Sequence, residues 1–79
     1  NPETAIEYEL PEISEVTVKV YTLLGMEIKT LVNKIQNAGR YTLTWNGTDN
    51  GGRKVPSGIY FLRMQAGAFS QIRKMTFIQ

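Results

Sequence analysis

The stretch GMEIKTLVNKIQN, Gly25–Asn37, is the only part of the chain that offers a helix, and its reading decides the fold class. Met26, Ile28, Leu31, Val32 and Ile35 fall loosely on one helical face. No N-cap residue stands immediately ahead of them, and Gly25 suits the turn of a hairpin. "MEIKTLV" is therefore read as a strand, and "NKIQNAG" (33–39) as the loop that follows it.

Outward from this stretch, alternation dominates. "AIEYEL" places Ile6, Tyr8 and Leu10 on one face, with Glu7 and Glu9 on the other. "EVTVKVY" turns Val16, Val18 and Val20 inward; "RYTLTW" aligns Tyr41, Leu43 and Trp45; "IYFLRMQA" aligns Tyr60, Leu62, Met64 and Ala66. Period two with β-branched and aromatic residues is the signature of half-buried strands. Pro11, Leu24-Gly25 and Ala66-Gly67 punctuate the runs, and "SQIRKMTFI" forms a last strand. Six or seven strands at this spacing predict an all-β antiparallel sandwich.

With 79 residues the chain makes one small domain, without room for a deep substrate cleft. No apolar run approaches the length of a membrane-spanning helix. The opening "NPET" lacks Met and reads as the end of a linker, residues 1–5, ahead of a domain at 6–79. The expectation is a piece of a longer protein.

Cysteine and histidine are both absent, which removes disulfides, thiolate or imidazole metal sites, and Cys-His or Ser-His catalysis. Glu7 and Glu9 lie on one outer strand face, whereas glycosidase carboxylates face each other across a cleft. A solvated charged face accounts for them. No enzyme activity and no cofactor is expected.

Net charge is +2, unevenly spread. Residues 1–28 hold six Glu and one Lys, while residues 29–79 hold eight Lys/Arg and only Asp49. The preferred reading pairs acidic early strands with basic late ones across the sheet. The alternative is a basic C-terminal patch read by a partner. Nucleic-acid binding is not expected: Tyr41, Phe61 and Phe69 could stack bases, but most aromatics fall on apolar strand faces and the basic residues are scattered.

The stretch WNGTDNGGRKVPSGIYF, Trp45–Phe61, resembles a ligand loop at first sight. As a calcium loop it offers one carboxylate, Asp49, and its twelfth position is Ser57, which cannot chelate bidentately. As a phosphate loop it lacks the Gly-Lys-Ser/Thr ending. Turn chemistry explains more. Asn46-Gly47 fits a turn with positive φ, and "DNGGRK", with Asp49 and Gly52, makes a hairpin tip. Pro56 marks a strand entrance and Gly58 a bend before the next strand.

Taken together, "VTVKVYTLLGMEIKTLV", "AGRYTLTWNGTDNGGRKVPSGIYFLRMQAG" and "RKMTFIQ" resemble the C-terminal sorting domain of proteins exported by the type IX (Por) secretion system. They resemble equally the Ig-like domain of the flagellar hook-capping protein. The resemblance implies a seven-stranded Ig-like sandwich. In its sorting form it implies an address that guides N-terminal cargo domains through the periplasm and outer membrane to the surface or medium. The implied partners are the type IX outer-membrane machinery and a sortase-like peptidase. The recognition residues would be Arg73, Lys74, Met75, Thr76, Phe77 and Ile78 of the last strand, added edge-on to a partner's sheet. Two other readings are a structural spacer or assembly domain, as in hook capping, and a carbohydrate-binding module using Tyr21, Tyr41 or Phe61.

Overall fold

The computed structural model describes residues 4–79, and these form six antiparallel strands with no helix among them. The strands are β1 (Thr4–Leu10), β2 (Ser14–Thr22), β3 (Glu27–Gln36), β4 (Gly39–Trp45), β5 (Gly58–Ala66) and β6 (Phe69–Phe77). β1 and β4 make a two-stranded sheet, which packs against a four-stranded sheet in the order β3-β2-β5-β6. The all-β sandwich expected from the alternation is the observed fold, with six strands in the described residues rather than seven. β1 begins at Thr4, inside the segment read as linker; the linker reading of residues 1–3 lies outside the described residues.

The core forms where the alternating faces meet. Val16, Val18 and Val20 on central strand β2 are at most 1% exposed. Leu62 and Met64 of β5 flank them on the same sheet, since Val20 pairs with Leu62 and Val18 with Met64. Ile6, Tyr8, Leu10 and Trp45 close the cluster from the two-stranded sheet. There Tyr8 and Tyr41 sit opposite each other and stack, with centroids 5.3 Å apart and planes at 16°. No charged or polar residue is buried among the described residues, so this core holds by apolar burial and shape.

β3 explains the false helical pattern. Its pairing with β2 skips Leu31, between Val18↔Val32 and Lys19↔Thr30. It skips Ile28 as well, between Val20↔Lys29 and Tyr21↔Glu27. Each bulge adds a residue and resets the alternation phase. Apolar residues thus recur at 28, 31, 32 and 35, a spacing that imitates a helix while the backbone stays extended. β3 also runs on through Asn33–Gln36, so only Asn37 and Ala38 are left as the connection to β4; the seven-residue loop expected there is mostly strand.

Among the described residues, an early acidic residue meets a basic one from the later part of the chain at one place. Arg40 of β4 lies 3.8 Å from Glu9 of β1, both exposed. The other ion pair, Lys19–Glu27 at 3.1 Å, joins two residues of the acidic third. On β5 and β6, Arg63, Arg73 and Lys74 have no carboxylate within ion-pair distance among the described residues.

The burial pattern sets an expectation for stability. Leu62→Ala should cost about 2–5 kcal/mol, because the cavity lies between packed sheets. Leu24→Ala, at a turn residue 95% exposed, should change stability by less than about 0.5 kcal/mol. Urea midpoints of the two variants, read from Trp45 fluorescence, check both.

Candidate functional site

The loop between β4 and β5, residues 46–57, is the part of the chain that most resembles a ligand site. Many of its polar atoms bond within the loop itself. The Asp49 carboxylate accepts hydrogen bonds from the backbone N–H of Gly51 (2.9 Å) and of Arg53 (3.0 Å) at Oδ1. The Asp49 N–H donates to Arg53 O, the Gly52 N–H donates back to Asp49 O, and Thr48 bridges Lys54. Gly52, at φ +82°, supplies the left-handed residue of this tip. Asn46 Oδ1 accepts from the Thr48 hydroxyl at 2.7 Å. The "DNGGRK" segment is thus a closed turn, as its residue types require.

The loop is also fastened to its surroundings, at two places by residues that lie far away in sequence. Asn50 docks on the outer edge of β3: its N–H donates to Ile28 O, and its Oδ1 accepts from the Thr30 N–H at 3.0 Å. Lys29 Nζ reaches Asp49 O at 3.2 Å from the same strand. Trp45 Nε1 donates to Thr48 O at 2.9 Å, holding the loop to the core from below. At the far end the Tyr60 hydroxyl donates to Pro56 O at 2.6 Å, so the residue read as a strand entrance is an acceptor at the mouth of β5.

A further fastening joins the loop to the last strand. Gly47, at φ +75°, lies against the Phe77 ring so closely that an added Cβ would sit 2.0 Å from Cζ. Beyond it, the Gln79 N–H donates to Ser57 Oγ and the Gln79 side-chain amide donates to Val55 O. The loop residues Asn46, Gly47, Asp49, Gly52 and Pro56 and the end of β6 therefore form one unit; Gly58, expected as a bend ahead of the strand, is instead the first residue of β5 and pairs with Phe77. Residue types showed the turn; the 30-residue separation between Gly47 and Phe77 left their contact without a local signal.

Within the last strand Arg73, Lys74 and Thr76 are exposed, as is Ile78 just beyond its end, whereas Met75 and Phe77 are buried at 6% and 3%. A partner meeting the folded domain reaches the first four. Met75 and Phe77 belong to the core, and the Phe77 ring lies 5.1 Å from that of Trp45. β6 is a sheet edge, as the terminal position suggested. Among the aromatics named as sugar platforms, Tyr41 is engaged with Tyr8 and donates its hydroxyl to Asn37 O at 2.7 Å. Tyr21 and Phe61, paired across β2 and β5, line a shallow apolar pocket with Arg63 and Ile72.

Two tyrosines titrate high. Burial raises the Tyr60 hydroxyl above its ordinary value of 10.0. Burial also raises Tyr8; its hydrogen bond to Gln36 opposes that rise and the nearby Tyr41 adds to it. Both shifts come first from burial of the ring hydroxyl in the core wall.

The all-β sandwich agrees with what comparison shows. Residues 2–68 match the model of the FlgD Ig-like domain. The chain belongs to this family. Among solved structures it is similar to FlgD from P. aeruginosa, at 25% sequence identity and a TM-score of 0.71, over 95% of this chain. The chain spans 58% of that FlgD. None of the curated proteins matches it. These matches support the hook-capping side of the resemblance and give no support to the type IX sorting side.

Two outcomes are expected here. Gly47→Ala should cost about 2–5 kcal/mol, from left-handed strain plus overpacking on Phe77. Phe77→Leu should recover part of that loss in the same chain, whereas Gly52→Ala, with open space around it, should cost only the backbone strain. Chemical denaturation of the single and double variants checks the coupling.

The second concerns pH. The raised Tyr60 value means that the unfolded chain loses this proton first, so stability is complete below about pH 10 and falls as pH rises through the folded value. Tyr60→Phe should lose about 1 kcal/mol near neutrality, with the Pro56 hydrogen bond, and show a flatter decline above pH 10. Urea titrations at pH 8 and pH 11 measure it.

Proposed function

We propose that this chain is a non-catalytic Ig-like assembly module of the hook-capping type, acting as a rigid docking unit in a filament-associated structure. The observation that carries this reading is the FlgD Ig-like match over residues 2–68. The loop geometry supports it: the residues that look most like ligand chemistry, Asn46, Asp49 and Asn50, are consumed in holding the loop. Such a module supplies shape and surface, and its partner is a structural protein.

Type IX sorting remains the second reading on one observation. β6 is a sheet edge that presents Arg73 and Lys74 to solvent, which suits strand addition with charge selection. The fold dictates how this must be tested. Removing Lys74–Gln79 would strip Met75 and Phe77 from the core, so a truncation confuses unfolding with loss of a signal. Arg73→Glu with Lys74→Glu changes the exposed charge and leaves those core residues in place.

The experiment pairs two assays. Purified chain should co-sediment with flagellar hook filaments. A periplasm-targeted reporter fused to residues 1–79 should stay in the periplasm of a bacterium that has the type IX machine. Export of that reporter, abolished by the charge reversal with the urea midpoint unchanged, would overturn the assembly reading in favour of sorting.

A further inference from the structure

An antiparallel sheet with one face to water carries polar residues on that face. The outer face of the four-stranded sheet departs from this pattern. Val20 and Leu62 point into the core, so their neighbours Tyr21, Phe61 and Arg63 point outward. Tyr21 stands opposite Phe61, Phe61 opposite Lys74, and Arg63 opposite Ile72. Tyr21, Phe61 and Ile72 thus form a diagonal apolar strip, with Ile72 64% exposed, and Ile59 adjoins it on β5 at 40%. The strip, Gly25 and Arg63 line a pocket of about 320 Å³. β2 and β5 are each paired on both sides, so the face around Tyr21 and Phe61 is complete in the described strands.

The charges on this face are unbalanced. Because Phe61 and Ile72 occupy one diagonal of the β5–β6 register, Arg63 and Lys74 occupy the other, one cation on each side of the strip. Both are exposed, and neither has a carboxylate within ion-pair distance among the described residues. Arg63 also stands opposite Lys19 across β2, and like charges in that position cost stability. Glu27 lies 3.1 Å from Lys19 Nζ and answers that lysine alone. Arg63 and Lys74 are left as two unneutralised cations beside an apolar strip.

We propose that this face docks an acidic segment of a partner protein. Leu, Ile or Phe side chains of that segment lie along the Tyr21–Phe61–Ile72 strip, and its Asp or Glu side chains reach Arg63 and Lys74. Each part of that specification has a cause. Covering the strip removes exposed apolar surface from water, and a contiguous patch of this kind marks an interaction surface. A carboxylate matches the planar fork of Arg63 and relieves its repulsion from Lys19. Charge then selects the partner and apolar contact holds it. A sugar would meet the aromatic rings and leave both cations unanswered. A phosphate backbone would meet Glu27, which shares this face opposite Tyr21. The site is distinct from the β6 edge, since it uses side chains of three strands rather than unpaired backbone groups. It takes from the assembly reading only that the partner is a protein.

The test uses the 79-residue chain and a capped eight-residue peptide of Glu with one Phe and one Leu, against the same peptide with Lys in place of Glu. The acidic peptide should bind and shift the amide NMR signals of Tyr21, Phe61, Arg63 and Ile72. Arg63→Glu should weaken it about tenfold, by turning an attraction into a repulsion. Arg73→Glu makes the same change of net charge on the inner face, opposite Leu62, and should weaken it less than about twofold. Ile72→Ser should weaken it about fivefold with the charges untouched. Unchanged urea midpoints show that the variants fold. Equal binding of the Lys peptide, equal losses in Arg63→Glu and Arg73→Glu, or shifts confined to other faces would each overturn the proposal. So would tighter binding of cellohexaose or oligothymidylate at these residues, or a dimer in sedimentation through this face without peptide. Hook filaments separate the two readings. Filaments that bind the wild-type chain and Arg63→Glu/Ile72→Ser alike sink this inference and leave the assembly reading standing. Filaments that bind neither, with the acidic peptide bound at this face, do the reverse.

Discussion

Trp45 is fully buried at the last residue of β4, and the two sheets are joined through it. Its ring meets Tyr60 of β5 edge-on at 5.2 Å and Phe77 of β6 at 5.1 Å. Aromatic contacts of this kind are worth about 0.5–1.5 kcal/mol each beyond the area they bury. The indole N–H would be costly to bury unpaired, and its bond to Thr48 O turns that liability into the anchor of the next loop. One side chain thereby fixes the spacing of the sheets, the seat of the last strand and the start of the 46–57 loop. With only two strands on one side of the sandwich, few other residues can carry this load.

The loop shows how turn chemistry and long-range packing divide the work. Asp49 and Gly52 make a closed tip from local bonds alone. That tip has a defined position only because Asn50 takes up two backbone groups on the β3 edge and Gly47 admits the Phe77 ring. The same contacts cover part of a sheet edge that would otherwise offer free hydrogen-bonding groups. A loop that looks designed for a ligand thus behaves as a clasp.

Much of the fold was legible because four strands keep strict period two. Ile6, Tyr8 and Leu10, the three valines of β2, and Tyr60, Leu62 and Met64 are all buried as their alternation requires. β3 was harder to read because its two bulges give Ile28, Leu31 and Val32 a helical spacing. Its strand nature followed from Gly25 and the missing cap, but its true length did not, since exposed Asn33–Ile35 carry no apolar rhythm. The candidate site was legible as a turn and illegible as a clasp. Contacts between Gly47 and Phe77, or Asn50 and Thr30, depend on strand order, and residue types at one end say nothing of the other. The basic pair of the last strand was visible in sequence, yet the burial of its neighbours Met75 and Phe77 became apparent only with the sandwich assembled.

The tie between Gln79, Ser57 and Val55 bears on when this domain can exist at all. Met75 and Phe77 complete the core, and Phe77 seats the central loop, so the earlier strands lack their closing wall until the final residues arrive. During synthesis, residues 75–79 leave the ribosome after every strand they close against. Strands β1–β5 therefore reach solvent before the residues that close their core. Until β6 arrives β5 is an open edge, the kind of unpaired strand that invites pairing with another chain.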